Sequence, residues 1–260
     1  MESLIELRDG RLASRAMRIA ELWRYPVKSL QGEQLESVLV TPQGFEGDRR
    51  YAIYDVETGF GLTARRVPEL LFASARLLDG GELEIVLPDR SVARDDATLS
   101  DWLGRPVTLR SSEARVARRY ENPADFERER GWAPFVGADG PFHDSARTRV
   151  SLVSTATIGD WDRRRFRSNI LLDGSGEDDL VGSSVAIGDS VLDVGKHIER
   201  CVMTTRPQPG GIERDLDVLR TIARERGARL AVGALVARPG IVSVGDELRS
   251  SAPTPTRATA

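Results

Sequence analysis

The 260-residue chain is poor in the side chains that build common metal sites and crosslinks: it has one cysteine and two histidines. The lone Cys201 cannot close an internal disulfide, and with His143 and His197 it falls short of an ordinary zinc site. A soft metal held by one thiolate and a large organic ligand stays compatible with this inventory. No run of about 18 apolar residues occurs, so no membrane-spanning helix and no membrane partner is expected. The N-terminus lacks the apolar core of a secretory signal. Without a cysteine pair, a reducing cytoplasm is the simplest location. The chain has no Gly-x-Ser-x-Gly elbow, Walker loop or dinucleotide fingerprint, which argues against serine hydrolases and nucleotide-binding folds. Basic residues are not interleaved with aromatics along a face, so no nucleic-acid partner is expected. Internal repeats are absent.

What is present is ordinary in bulk. Hydrophobic residues make up 40% and charged residues 30%, with a formal net charge of −3. Such a chain forms one large domain or two small ones sharing an interface, and any anion site must be local. Lysine occurs only at Lys28 and Lys196 among 37 basic residues. Drift toward arginine is tolerated on surfaces but not where a compact ammonium is needed, which draws attention to both positions.

The pattern predicts a mixed α/β, strand-dominated and partly barrel-like fold without a βαβ rhythm. Met17-Arg18-Ile19-Ala20 is the expected start of the fold, after an N-terminal extension over 1–16. Strands are expected at 34–41, with Leu35, Ser37 and Leu39 on one face, and at 50–56, 70–78, 82–87 and 107–110. A short helix over 98–103 should be capped by Thr98 and stopped by Gly104. Residues 111–143 read as a charged connector with one helix near 124–130. The second half, 144–250, predicts strands at 149–154, 169–172, 185–187, 191–194, 230–236 and 241–244. It also predicts helices over 155–164 and 215–226, the latter with Leu216, Leu219, Ile222 and Ala223 on one face. Residues 251–260 read as a disordered tail.

Four stretches carry chemistry. Pro26-Val27-Lys28-Ser29 offers an ammonium and a hydroxyl to an anion. Gly44-Phe45-Glu46-Gly47-Asp48-Arg49 makes a tight turn that ends on a bidentate donor. Arg165-Phe166-Arg167-Ser168-Asn169 sets an aromatic between guanidinium groups, although such a run also suits a solvated face. Arg200-Cys201 puts a cation beside a thiol, which favours the thiolate. An inert, buried Cys201 is the alternative. Together the four describe an anionic, hydrogen-bonding ligand whose far end meets sulfur.

In this order, Tyr25-Pro26-Val27-Lys28-Ser29, Gly47-Asp48-Arg49, Leu62-Thr63-Ala64-Arg65, Phe166-Arg167-Ser168-Asn169, Arg200-Cys201-Val202-Met203-Thr204-Thr205 and Val244-Gly245-Asp246 resemble the MOSC family. That family is named for the C-terminal domain of molybdenum cofactor sulfurase. The form resembled carries a preceding N-terminal β-barrel domain, here 17–110, and includes the amidoxime-reducing component. The resemblance implies a molybdenum cofactor, Mo-molybdopterin, with Cys201 as metal ligand and no pyridoxal phosphate. It implies cofactor contacts from Lys28, Ser29, Arg49, Arg65, Thr148, Arg167, Asn169 and Arg200, and a catalytic role for Cys201. Asp144 is the expected proton-delivery residue. Reduction of an N-hydroxylated or N-oxide-type small-molecule substrate would draw electrons from a separate redox protein. The alternative is a cofactor or sulfur-carrier binding module without reductase activity. Glu199 departs from the family pattern, and beside a phosphate it would repel, so it is expected to face elsewhere. Leu180-Val181-Gly182 and Val232-Gly233-Ala234 lack aromatics found in relatives.

Overall fold

The computed structural model describes residues 17–125 and 127–251. The expected extension over 1–16, and all but the first residue of the expected tail, lie outside the described residues. The first half comprises β1 (Arg18–Arg24), β2 (Glu33–Leu35), β3 (Ser37–Thr41), β4 (Gly44–Phe45), β5 (Tyr51–Asp55), β6 (Ser74–Leu77), β7 (Leu83–Val86), β8 (Val92–Ala93), α1 (Asp96–Leu103) and β9 (Val107–Ser111). A hairpin follows, β10 (Arg119–Asp125) and β11 (Arg130–Val136). The second half holds β12 (Val150–Ser154), α2 (Thr155–Ile158), β13 (Ile170–Asp173), β14 (Ser183–Ile187), β15 (Ser190–Glu199), α3 (Leu216–Arg226), β16 (Arg229–Arg238), β17 (Gly240–Ser243) and β18 (Leu248–Ser251). The fold is strand-dominated and mixed, as its alternating apolar segments predict.

The two halves interlock. An eight-stranded, curled sheet runs β18-β14-β15-β16-β12-β13-β1-β2, so the first strands of the chain complete a sheet built by its second half. Leu22 of β1 pairs with Ile170 of β13, and β17 returns to pair with β3. One apolar core lies between these strands and includes Leu22, Val40, Leu152, Ile170 and Val232, all fully buried. A second core, around Leu30, Leu70 and Leu71, belongs to the first half. A third forms where α3 packs Val218 and Ile222 against Leu230 and Ala231.

Several local expectations change. Residues 124–130 are not a helix. Asp125 uses one carboxylate oxygen to accept from the backbone N–H groups of Glu127 and Arg128, which closes a hairpin turn. Pro123 and Pro134 are tolerated because this two-stranded ribbon has two free edges. Helix α1 starts earlier than expected, capped by Asp95, whose carboxylate accepts from Thr98 N at 2.8 Å. Residues 70–78 divide into a 3-10 turn, Pro68–Phe72, and β6. Leu70 and Leu71 are both fully buried, which a tight turn permits and an alternating strand does not.

Helix α2 ends at Gly159 rather than continuing to 164, and Asp162 caps a separate 3-10 turn over Arg163–Arg165. On α3 the buried face is Val218, Leu219 and Ile222, and Ala223 is exposed. The strand expected at 34–41 breaks at Glu36. Leu35 therefore packs on the core together with Val38 and Val40, while Leu39 points outward, cross-strand from Ile241.

The hairpin ties the halves together. Glu129 at its turn accepts from both terminal nitrogens of Arg206, at 2.6 and 3.1 Å, and from Arg214 at 3.2 Å. Glu127 accepts from Arg220 at 2.8 Å. Arg206 is buried, so losing its carboxylate strands a charge. Replacing Glu129 by alanine should lower unfolding free energy by about 1–3 kcal/mol. Arg128→Ala, which removes an exposed ion pair, should cost under about 0.5 kcal/mol. Urea denaturation of both variants checks the contrast.

Candidate functional site

A cavity of about 570 Å³ opens where the two halves meet. All ten site residues expected from the sequence line it: Lys28, Ser29, Arg49, Arg65, Asp144, Thr148, Arg167, Asn169, Arg200 and Cys201. They are delivered by loops at strand ends. Lys28 and Ser29 follow β1, where Lys28 N donates to Tyr51 O at 2.8 Å. Gly47 (φ +79°) lets the chain turn where a side chain would strike Leu77, and Arg49 comes two residues later. Arg65 sits in a turn closed by Val67 N donating to Thr63 O. Arg167 and Asn169 precede β13. Arg200 and Cys201 follow β15, and Cys201 O accepts from Thr204 N and Oγ1. Gly233 leaves room for Thr148, whose hydroxyl would lie 2.4 Å from any Cβ at that position.

Three of the non-glycine residues with left-handed backbone, Ser29 (φ 71°), Arg49 (φ 51°) and Arg167 (φ 52°), line this cavity. Such conformations disfavour L-residues and cluster where surrounding structure over-determines them.

Charge dominates the lining. Lys28, Arg49, Arg65, Arg149, Arg165, Arg167, Lys196 and Arg200 face Asp144 and Glu199 as the only carboxylates among the lining residues. Asp144 pairs with both Lys28 and Arg65. Desolvation works to raise its carboxyl pKa, but Arg65 and Lys28 outweigh it and hold the group well below the usual carboxylate range. Burial pulls Lys28 down to about 8 against the opposing pull of Asp144. The Lys28 ammonium also donates to Phe142 O at 2.9 Å and lies 4.5 Å from the Tyr120 ring centre.

Arg167 and Arg200 are each depressed to about 10, chiefly by burial. Arg65 shifts the other way. Desolvation opposes its charge, but Asp144 and Cys201, both hydrogen-bonded to it, raise its pKa. His143 is pushed well below its usual value by burial and by Arg49, so it is neutral.

Several buried nitrogens here have no protein partner. Nε of Arg65, one terminal nitrogen each of Arg149, Arg167 and Arg200, and Nε2 of His143 are buried without a hydrogen bond. Buried guanidinium nitrogens left without a hydrogen bond cost free energy that an anion would recover.

Asn169 differs from the other expected contacts. Its carbonyl oxygen accepts from Ser151 N and Oγ, and its amide nitrogen donates to Trp23 O and Asp48. With all its hydrogen-bonding capacity spent on protein groups, Asn169 positions Asp48 rather than offering a free amide. Asp48 is buried, accepts from Tyr25 N at 2.8 Å and pairs with Arg49. Glu199 was expected to face elsewhere but lines the cavity. It is the exposed last residue of β15; opposite it the pairing slips by one extra residue on β16, from Val232 across His197 to Arg229 across Glu199. Arg149 was missed, and Arg165, although in a stretch singled out above, was not among the expected contacts. In a chain this rich in arginine, only their place beside Thr148 and Phe166 marks them.

Residues 16–124 match the family model for the MOSC N-terminal beta barrel domain, and residues 136–249 match that for the MOSC domain. The chain belongs to the MOSC family. That family is associated with the molybdenum cofactor. This MOSC chain is 26% identical over 274 residues to the molybdenum cofactor sulfurase of Drosophila grimshawi. The alignment takes in 92% of this chain and 34% of that protein, so the chain spans about a third of its relative's length. Among solved structures, the YUAD protein from Bacillus subtilis aligns with a TM-score of 0.42 at 12% identity, covering 90% of this chain and 94% of that one. YiiM from Geobacillus stearothermophilus gives a TM-score of 0.34 at 15% identity, covering 52% and 73%. No helix among the described residues is long and apolar enough to cross a membrane.

With only Lys28 and Lys196 in the chain, Lys28 can be followed directly by NMR of isotopically labelled lysine. In the ligand-free protein its ammonium should titrate near pH 8. Because the folded pKa lies below the unfolded one, Lys28 binds fewer protons folded than unfolded between about pH 8 and 10.5. Its contribution should therefore make the protein more stable as pH rises through that window. Asp144→Asn should move the Lys28 midpoint further down, and an unmoved midpoint would refute the pairing.

Proposed function

We propose that this cavity holds a molybdenum cofactor, and that the chain is a cytoplasmic oxidoreductase acting on N-hydroxylated or N-oxide-type small molecules. Electrons would arrive from a separate redox protein. The observation that carries the reading is the set of unpartnered guanidinium N–H groups on Arg65, Arg149, Arg167 and Arg200 in the cavity that also holds the chain's sole thiol. They fit an anionic, phosphate-bearing pterin, and a single sulfur suits a soft metal whose other donors come from the ligand. When bound, the group supplies the two-electron redox centre at which an N–O bond is reduced.

The protein's own residues do the rest. Arg65, Arg167 and Arg200 bind and orient the anion, with Ser29 and Thr148 as hydroxyl contacts. Cys201 presents its sulfur from the start of a 3-10 turn, steadied by the side chain of Arg65. Asp144 holds Lys28 and Arg65 in register. The proton-delivery role expected of Asp144 does not suit a carboxyl held ionised by two cations. Lys28, depressed toward neutrality by burial, is the member of the pair that holds a proton it can release. The sulfurase relative favours a second reading, in which Cys201 carries sulfur or the chain carries the cofactor without reduction.

Expression in hosts with and without pterin–molybdenum synthesis separates these readings. Wild-type protein from the competent host should carry molybdenum and releasable pterin in near-equal amounts. Cys201→Ala should lose reductase turnover and most of its metal while keeping part of the pterin through the arginines. Wild-type protein without pterin overturns the proposal. Unchanged turnover in Cys201→Ala overturns the ligand role. Sulfur on Cys201 without metal or reductase activity supports the carrier.

A further inference from the structure

We infer that Lys196 is an anion-binding residue and that, with Thr148 and Arg149, it makes a phosphate subsite on the sheet wall of the cavity. Both lysines of this arginine-rich chain line the cavity. Lys28 is committed to Asp144 and to Phe142 O. Lys196 has no ion pair or side-chain hydrogen bond among the described residues.

The strand aims Lys196 at the cavity. Leu192 and Val194 belong to the core, and strict alternation would send residue 196 to the same face. The pairing with β16 prevents this. Val194 lies across from Ala234 and Lys196 across from Gly233, so β15 carries one extra residue, Gly195. Val232 and Ala234 both face the core, which turns Gly233 to the opposite face, and its cross-strand partner Lys196 shares that face. Ser151, paired with Gly233 from the other side, lies on it too and lines the cavity. The space a Gly233 side chain would fill is taken by Thr148. The Lys196 stem and the Thr148 hydroxyl are therefore neighbours above Gly233. Arg149 adjoins Val150, which faces the core, so it points to the cavity side. One of its terminal nitrogens donates to Asp139 O at 3.1 Å, and the other is buried without a partner. An ammonium, a hydroxyl and a guanidinium with a spare N–H on one face suit a tetrahedral, doubly charged oxyanion. The subsite stands on this geometry. Only the source of the phosphate, the cofactor's own or a substrate's, rests on the proposed function.

Two lysines give two side-chain signals in isotopically labelled protein, so NMR reads each one directly. In protein from a host without pterin synthesis, phenyl phosphate should shift the Lys196 signal saturably and leave Lys28 nearly still, and neutral phenol should shift neither. Lys196→Gln should weaken phenyl phosphate binding about ten-fold in calorimetry, the scale of one charge-assisted hydrogen bond. An unmoved Lys28 signal shows that this variant is folded. In pterin-loaded protein, a Lys196 signal already shifted and unresponsive to phenyl phosphate assigns the cofactor's phosphate to the subsite, and one that still responds assigns a substrate's. No shift of Lys196, a shift of Lys28 alone, or full affinity in Lys196→Gln overturns the inference. Pterin content is read on the preparation from the competent host. Its absence overturns the proposed function, and the titration of unloaded protein still decides the role of Lys196.

Discussion

Two aspartates, the buried Asp48 and the more open Asp144, govern the architecture of this site. Cations gathered around one cavity repel one another, and burial strips them of water. Asp48 and Asp144 offset both costs and tie separate parts of the chain to one another. Asp48 accepts from the backbone after β1, from Asn169 before β13 and from Arg49. Asp144 joins the Lys28 loop to the Arg65 turn. Neither carboxylate can balance every cation, so the pocket retains donors without acceptors. That deficit is local. The chain as a whole is slightly acidic, and the imbalance exists only because folding sorts the charges.

The sorting depends on interlocked halves. β1 enters a sheet made by residues from beyond position 150, and β17 returns to the first half. The strand ends that carry Lys28, Arg167 and Cys201 therefore converge on one cavity without a flexible linker setting their spacing. The hairpin adds a further tie, from Glu121 at Arg66 to Glu129 at Arg206. Arg206 also donates to the carbonyl of Arg65. The turn that presents Arg65 to Cys201 is thereby braced from the outside.

Much of the cavity was legible before any coordinates. Scarcity made Cys201 and Lys28 stand out, and short motifs at strand ends marked Arg49, Arg167 and Arg200. Most strands followed from alternation and glycine turns. What stayed hidden depends on contacts distant in sequence. The charge-dense stretch around 124–130 satisfies helix patterning as well as ribbon patterning, and only Asp125 closing the turn and Glu129 reaching Arg206 decide between them. The face of 34–41 was misread because apolar residues occupy both phases and the break at Glu36 resets them. Glu199 was placed by the repulsion expected beside a phosphate, and that β15 runs on to residue 199 is not visible in composition. Asn169 was rightly located, but its saturated amide could be seen only with Ser151, Trp23 and Asp48 in place.

The left-handed backbone at Ser29, Arg49 and Arg167 has an evolutionary corollary. At each position glycine would relax the main chain while deleting a polar group from the pocket. Laboratory selection for heat resistance alone would therefore pull these three sites toward glycine or asparagine and hollow out the pocket as it hardened the scaffold. Lineages that keep a hydroxyl and two guanidinium groups there are holding ligand contact above thermal robustness.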